Sequence, residues 1–273
     1  MPLLPDRKVR YFGLVLPVLF IWIVSCSNPL DSVSDDQYSL LLSGTGYIEI
    51  PYNASLDSLN TDTFTIELFF RADSITGKDS PALFMVSNDS GGNEIGIYRN
   101  LVEDDRVVVY MDDQPVPGIN NIPVSGFRFQ NGSWYFVAVS YDSGFVALYI
   151  NGQQKLTGSL TDSAATIDIG QSPVLIGADL DDQRYGNFWN GAFDEVRVWK
   201  TTLTPEQIAY HARYPSMLSE HYERGETPRE LLLGLWRFNT GKGNRIIDDS
   251  DYKNHGFLQN NTGGRWLRGG IPY

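Results

Sequence analysis

Between Trp199 and Pro205 the chain must pass from one kind of secondary structure to another, and this switch constrains its fold more than any other stretch. The run from Phe188 to Ile208 reads FWNGAFDEVRVWKTTLTPEQI. Phe188, Trp189, Phe193, Val196, Val198 and Trp199 gather around Gly191, which is strand composition, so a strand ends near Trp199. Thr204 then stands three residues before Gln207, with Pro205 between them. A threonine can accept from the amide three residues on while the glutamine reaches back, and proline has no amide to satisfy, so a short helix opens at Pro205.

The rest of the chain is built from short strands. Phe64, Ile66, Leu68 and Phe70 alternate with Thr65, Glu67, Phe69 and Arg71, a period of two that predicts a strand with one buried face. Shorter strands are expected at Ala82 to Ser87, Glu94 to Tyr98, Arg106 to Met111 and Val174 to Gly177, separated by Gly- and Asp-rich turns. Trp134 to Tyr141 and Phe145 to Ile150 form a hairpin across Asp142-Ser143-Gly144, and Asp179 to Asn187 reads as a polar loop. With 26 glycines, 14 prolines and 13% aromatic residues, the chain favours an all-β antiparallel sandwich over a helical bundle. Its 273 residues suit one such domain. The net charge of −12, with no basic cluster interleaved with aromatics, argues against nucleic acid as a partner.

Gly191-Ala192-Phe193-Asp194-Glu195-Val196-Arg197-Val198-Trp199, with Leu203-Thr204 and Glu206-Gln207-Ile208, resembles the closing strand and following helix of the laminin-G-like jelly roll, within the concanavalin A-like lectin and glucanase fold. Tyr38 to Pro51 resembles its opening strands, with Gly46 where the family often carries an acidic residue, and WYFVAVSYDSGFVALYINGQ resembles its central meander. Leu235-Trp236-Arg237-Phe238-Asn239, with Asp248, Asp249, Asn254, His255 and Gly256, resembles a part that precedes those opening strands in the family. Here it comes last. The segment from about 215 to 273 is therefore expected either to lie beside Tyr38 to Ile50 and complete the domain, or to be a truncated second copy. The laminin-G-like domain as a whole is expected over 37–273.

Arg7, Lys8 and Arg10 precede an apolar run of about 14 residues, roughly 21 Å as a helix against a hydrocarbon core of about 30 Å, so a secretory signal over 1–25 is expected. Ile23-Val24-Ser25-Cys26 resembles the bacterial lipoprotein signal, which implies acylation of Cys26, attachment to membrane lipid and a place in the bacterial cell envelope. The alternatives are an uncleaved anchor or a leftover thiol. Residues 26–36 are small, polar and acidic and read as a flexible tether.

The sequence carries little that points to catalysis. Asp194 and Glu195 are adjacent and should face opposite sides of a strand, which would keep them from acting on one glycosidic bond. His211 and His221 fall in or near helical segments, where solvated surface positions are expected. The family resemblance implies one structural Ca²⁺, with Asp194 and Asp248 as ligands and carbonyls near Gly44 to Gly46 as helpers. Against this, Asp194 could accept backbone hydrogen bonds and Asp248 could cap a turn. Asp181, Arg184, Tyr185 and Trp189 form the candidate ligand-binding set, because rings beside carboxylates and guanidinium groups are how a protein holds a sugar. The chain is thus read as a non-enzymatic recognition domain for a glycan, or alternatively as a protein-interaction or structural adhesion module for an envelope or surface protein, with a glycoside hydrolase or polysaccharide lyase as the less favoured third reading.

Overall fold

The computed structural model describes residues 37–59, 62–73, 80–87, 95–101, 105–112, 114–124, 127–160, 167, 169–215 and 227–271. The signal and tether expected over 1–36, the acylation at Cys26, and His221 lie outside the described residues. The first strands are β1 (Tyr38–Ser43), β2 (Tyr47–Ile50), β3 (Thr63–Ala72), β4 (Ala82–Val86), β5 (Ile95–Asn100), β6 (Arg106–Met111) and β7 (Gln114–Pro115). The central ones are β8 (Trp134–Asp142), β9 (Phe145–Ile150), β10 (Gln153–Ser159), β11 (Val174–Ile176), β12 (Asp179–Asp181), β13 (Arg184–Gly186) and β14 (Asn190–Trp199). After helix α1 (Pro205–Arg213) come β15 (Leu232–Trp236), β16 (Arg245–Ile246), β17 (Gly256–Gln259) and β18 (Arg265–Arg268).

Two antiparallel eight-stranded sheets make an all-β sandwich, as the alternating patterns predict. Sheet A runs β10-β9-β8-β3-β14-β1-β18, with β15 also paired to β14, and sheet B runs β16-β17-β2-β11-β4-β5-β6-β7. Leu40, Leu42, Phe64, Ile66, Leu68 and Phe70 from sheet A meet Ile48, Ile50, Phe84, Ile97 and Val109 from sheet B in one core. Burying side chains of this size stabilises by about 1.5–3 kcal/mol each. The β8–β9 turn uses Ser143 (φ 49°) and Gly144 (φ 89°), the primed geometry whose twist matches the flanking strands.

Strand β3 departs from its expected single buried face: Phe69 and Glu67 are buried as well as Phe70 and Ile66. The cause is α1, which lies on the outer face of sheet A. Thr204 caps it as the sequence predicts, accepting from Gln207 N at 3.3 Å while Gln207 Oε1 accepts from Thr204 N at 2.8 Å. Its Ile208 then packs with Phe69, Phe136, Trp199 and Leu203 in a second apolar cluster.

Strand β14 organises sheet A. One edge pairs with β3, while the other takes β1 along Asn190–Phe193 and β15 along Val196–Trp199. Gly191 sits at φ 149° against the Arg71 carbonyl, where a Cβ would collide with backbone. Beyond α1, the segment after Thr227 supplies strands to both sheets: β18 pairs with β1 and β17 with β2. After Thr227-Pro228 the chain makes a short 3-10 turn, Arg229–Leu231, without a side-chain cap.

Candidate functional site

The outer face of sheet B carries Tyr47, Ala82, Met85, Tyr98, Val108 and Leu175, the residues that alternate with the core positions on β2, β4, β5, β6 and β11. Asp179 to Asn187, expected as a loop, is instead a two-stranded hairpin, β12–β13, laid over this face. Its two turn residues, Asp182 and Gln183, have φ of 47° and 61°, so a primed turn forms without glycine or asparagine at either position. Tyr185 stacks on Tyr47 with ring centroids 4.4 Å apart. Burial, helped by Tyr185, raises the Tyr47 phenol above its ordinary pKa. Ser87 Oγ donates to Leu180 O at 3.0 Å, and Ala82 N donates to Asn187 O at 2.8 Å, fixing the hairpin base.

Between that base and β5–β6 lies a cavity of about 270 Å³ lined by Ser80, Tyr98, Asn100, Val108, Tyr110, Asp179 and Asn187. Tyr98 and Tyr110 meet edge to face at 5.7 Å and 86°. Asn187 Nδ2 donates to Asp179 Oδ2 at 3.1 Å, which orients both groups at the wall. Burial holds the Asp179 carboxyl above the usual carboxylate range, hydrogen bonds from Asn187 and Tyr98 pull it back in part, and the Asp181 charge adds to the rise. Aromatic rings beside a carboxylate and amides can take the apolar edge and the hydroxyls of a sugar together. The cavity lining offers one carboxylate, where acid–base cleavage of a glycosidic bond needs two.

The outer face of sheet A holds a different arrangement. Glu67, on β3, is fully buried, accepts from Trp199 Nε1 at 3.0 Å, and lies 3.0 Å from Nδ1 of His211 on α1. The His211 ring stacks on Trp199 at 5.4 Å. His211 is therefore a buried partner of Glu67 rather than a solvated helix residue. Arg197 Nη2 donates to Glu195 at 3.0 Å and to Pro215 O at 2.8 Å, and its Nη1 lies 3.6 Å from Glu67. Burial alone would push the Glu67 carboxyl up, but the His211 and Arg197 charges and the Trp199 hydrogen bond outweigh it and hold Glu67 below its ordinary value.

Asp194 and Glu195 do not face opposite sides. The β14–β3 register shifts between Asp194 and Arg197, and Glu195 takes φ 46°, a bulge that inserts one residue out of alternation. Phe193 and Val196 both point into the core, so Asp194 and Glu195 share the outer side. Both are 4% exposed. Burial, with Glu195 alongside, drives Asp194 well above its usual value, and burial raises Glu195 despite Arg197 and Arg237.

The residues proposed for calcium do not fit it. Asp248 Oδ1 accepts from Leu235 N and Ser250 N, and Oδ2 from Ser250 Oγ and Asn254 N, at 2.7–2.8 Å. Four donors occupy the lone pairs that a cation would need, so Asp248 organises a turn. Asp194 accepts from the Ile271 amide. No group of three or more Asp, Glu, His or Cys is assembled for a metal among the described residues.

Of the candidate ligand-binding set, Asp181 and Arg184 are exposed and opposite each other across the hairpin, and Tyr185 stacks on Tyr47 while remaining 37% exposed. Trp189 is 0% exposed and meets Phe70 edge-on at 5.2 Å, so it is core. The cavity takes from this segment Asp179 and Asn187, and from β5 and β6 Tyr98 and Tyr110, none of which belongs to the set expected from the sequence. The available signal was tyrosine at the outward places of β5 and β6, beside Ile97 and Val109 at the inward ones.

The sequence model of the laminin-G-like family described as concanavalin A-like lectin/glucanases superfamily matches residues 42–209. Human pappalysin-1 is 24% identical over 210 residues, an alignment spanning 72% of this chain and 12% of that protein. A solved "putative carbohydrate binding protein" from Bacteroides ovatus superposes with a TM-score of 0.59 at 18% identity, over 86% of this chain and 61% of that one. Domain 4 of an extracellular arabinanase from Geobacillus stearothermophilus, solved in complex with arabinotriose, gives a TM-score of 0.49 at 19% identity over 64% of this chain and 76% of its own.

Proposed function

The chain belongs to the concanavalin A-like lectin/glucanases superfamily, and from that premise we propose that it is a non-catalytic recognition domain that binds carbohydrate. The observation that carries this reading is the cavity walled by Tyr98, Tyr110, Asp179 and Asn187 on the outer face of sheet B. The likeness in fold to the Bacteroides ovatus protein supports it. The burial of Asp194 and Glu195 under strands and beside Arg197 supports a structural use of the one adjacent acidic pair singled out in the sequence. A glycan-array screen of the soluble domain from Ser27 onward tests the reading. Binding to a defined glycan is expected, and a folded domain that stays silent across the array overturns it in favour of a protein-interaction role.

The domain is proposed to act at a bacterial cell envelope, held by an acyl chain on Cys26 beyond the polar tether. Support comes from the basic start, the short apolar run and the Ile23-Val24-Ser25-Cys26 sequence. Replacement of Cys26 by serine in cells should move the protein from the membrane fraction to the soluble one. Unchanged membrane association would remove the lipid anchor from the proposal.

A further inference from the structure

Beside helix α1 the outer face of sheet A opens into a cleft of about 790 Å³. Its floor is the row in which Phe69 of β3 pairs with Phe136 of β8, and Ala209 and Ala212 of α1 face the β9–β10 turn across it. Gly152 of that turn, at φ 76°, admits the helix, because a Cβ there would stand 2.9 Å from the Cβ of Ala212. Small residues on both sides thus let helix and turn meet while the space toward Trp134 stays open.

Trp134 begins β8 on the outward side, paired with Arg71, and is half-buried. The Arg71 guanidinium lies 5.9 Å from the ring centroid and is itself held by two bonds of 2.8 Å to Asp73. A ring pinned in this way is ordered before a ligand arrives, which lowers the cost of stacking on it. The rim beside it is polar. Asn151 Oδ1 accepts from Phe136 N at 3.0 Å, and Gln153 Oε1 accepts from Lys155 Nζ at 2.7 Å. What each amide offers a ligand is therefore its N–H donors, and Ser133 adds a hydroxyl.

An indole beside oriented amides and a hydroxyl can take the apolar face and the oxygens of a sugar together. We propose that this cleft is a second carbohydrate site, for a short chain of sugar rings, with Trp134 as its stacking platform. The inference rests on the carbohydrate reading and extends it to the opposite face of the sandwich. The cleft's 790 Å³ against the 270 Å³ of the sheet B cavity suits a chain rather than a single ring. Because the outer faces of two packed sheets look away from each other, one short chain does not enter both sites, and the domain bridges two chains instead.

The test is a glycan array graded in length, followed by titration calorimetry of the oligosaccharide hits on the wild type, Trp134→Ala, Trp134→Phe and Tyr110→Ala, with thermal melting as the folding check. The wild type should show two binding events per domain. Trp134→Ala should weaken one of them about tenfold, Trp134→Phe should hold it within about threefold, and Tyr110→Ala should weaken the other. Cross-linking of a soluble polysaccharide, read as turbidity, should be kept by Trp134→Phe and lost in both alanine variants. A wild type that takes one ligand, weakened by Tyr110→Ala and indifferent to Trp134→Ala, overturns the cleft and leaves the sheet B reading standing. One ligand lost with Trp134→Ala alone supports the cleft and overturns the sheet B cavity. Ile271 lines the cleft, so a chain ending there is titrated as well. It should give the same two events, and a second event seen only in that shortened chain assigns the cleft to the chain's own end and overturns the proposal. Silence of the folded domain toward every glycan overturns both sites together.

Discussion

The outer faces of the two sheets start from the same pattern, alternate residues turned away from a shared core, and end as opposites. On sheet A, α1 roofs only part of the outward face, with a cleft of about 790 Å³ left beside it between Trp134, Phe136, Gly152 and Ala212, and the charges under cover, Glu67, Arg197, Glu195 and His211, pair with one another out of water. On sheet B the roof is a six-residue pair of strands and their turn, which leaves Tyr98 buried but Tyr110 partly exposed, and the cavity remains beside it. The lesson is that an acidic residue in this fold is read by its cover. A carboxylate sealed beside an arginine holds the architecture together, and one left at the edge of a tyrosine wall is available to a ligand.

The comparison breaks most readily at Glu67. Glu67→Ala leaves Arg197 and His211 without their shared partner and should cost about 3–5 kcal/mol, a fall in Tm of roughly 10 °C. Glycan binding measured below that Tm should be unchanged. A variant that melts like the wild type would mean that the sealed face does not carry stability. The open face should respond in the opposite way. Tyr110→Ala should weaken glycan binding about tenfold, near 1.4 kcal/mol, with a smaller loss of stability, as read by titration calorimetry and melting side by side. A variant that binds normally would move the site off this wall.

The smallest effect is a pH dependence confined to the sealed face. Glu67 is held below its ordinary value when folded, so its ionisation contributes stability above the unfolded pKa, and this is lost as pH falls through the folded one. The deficit of Glu67→Gln against wild type, measured by denaturant titration, should therefore be largest near neutrality and narrow below about pH 4. A deficit that is flat from pH 7 to pH 3 would show that Glu67 acts through shape rather than charge.

What the sequence made legible was local. The capping box at Thr204 and Gln207 and the hairpin at Ser143-Gly144 are each closed by residues a few places apart, and both form where their chemistry directs. The bulge at Glu195 was hidden because nothing in the residue types announces a left-handed conformation there. His211 was misread because its partner, Glu67, stands 144 positions away and only the folded sheet brings them together. The cavity was half legible for the same reason: Asp179 to Trp189 drew attention through its own composition, whereas Tyr98 and Tyr110 gain meaning only when the hairpin comes down beside them.

Strand β1 begins where β18 ends, with Tyr38 opposite Arg268 and Gly269 N donating to Gln37 O at 2.8 Å. The chain thus enters and leaves the sandwich at one corner. A pull on both ends would load a single antiparallel pair from its open side and break its hydrogen bonds one after another. A pull between Gln37 and a handle fixed to the outer face of sheet B would run through the packed core instead, where many contacts must yield together. Mechanically the domain is a peel joint in one direction and a clamp in the other. Force spectroscopy with the two handle geometries should give the lower rupture force for the paired ends.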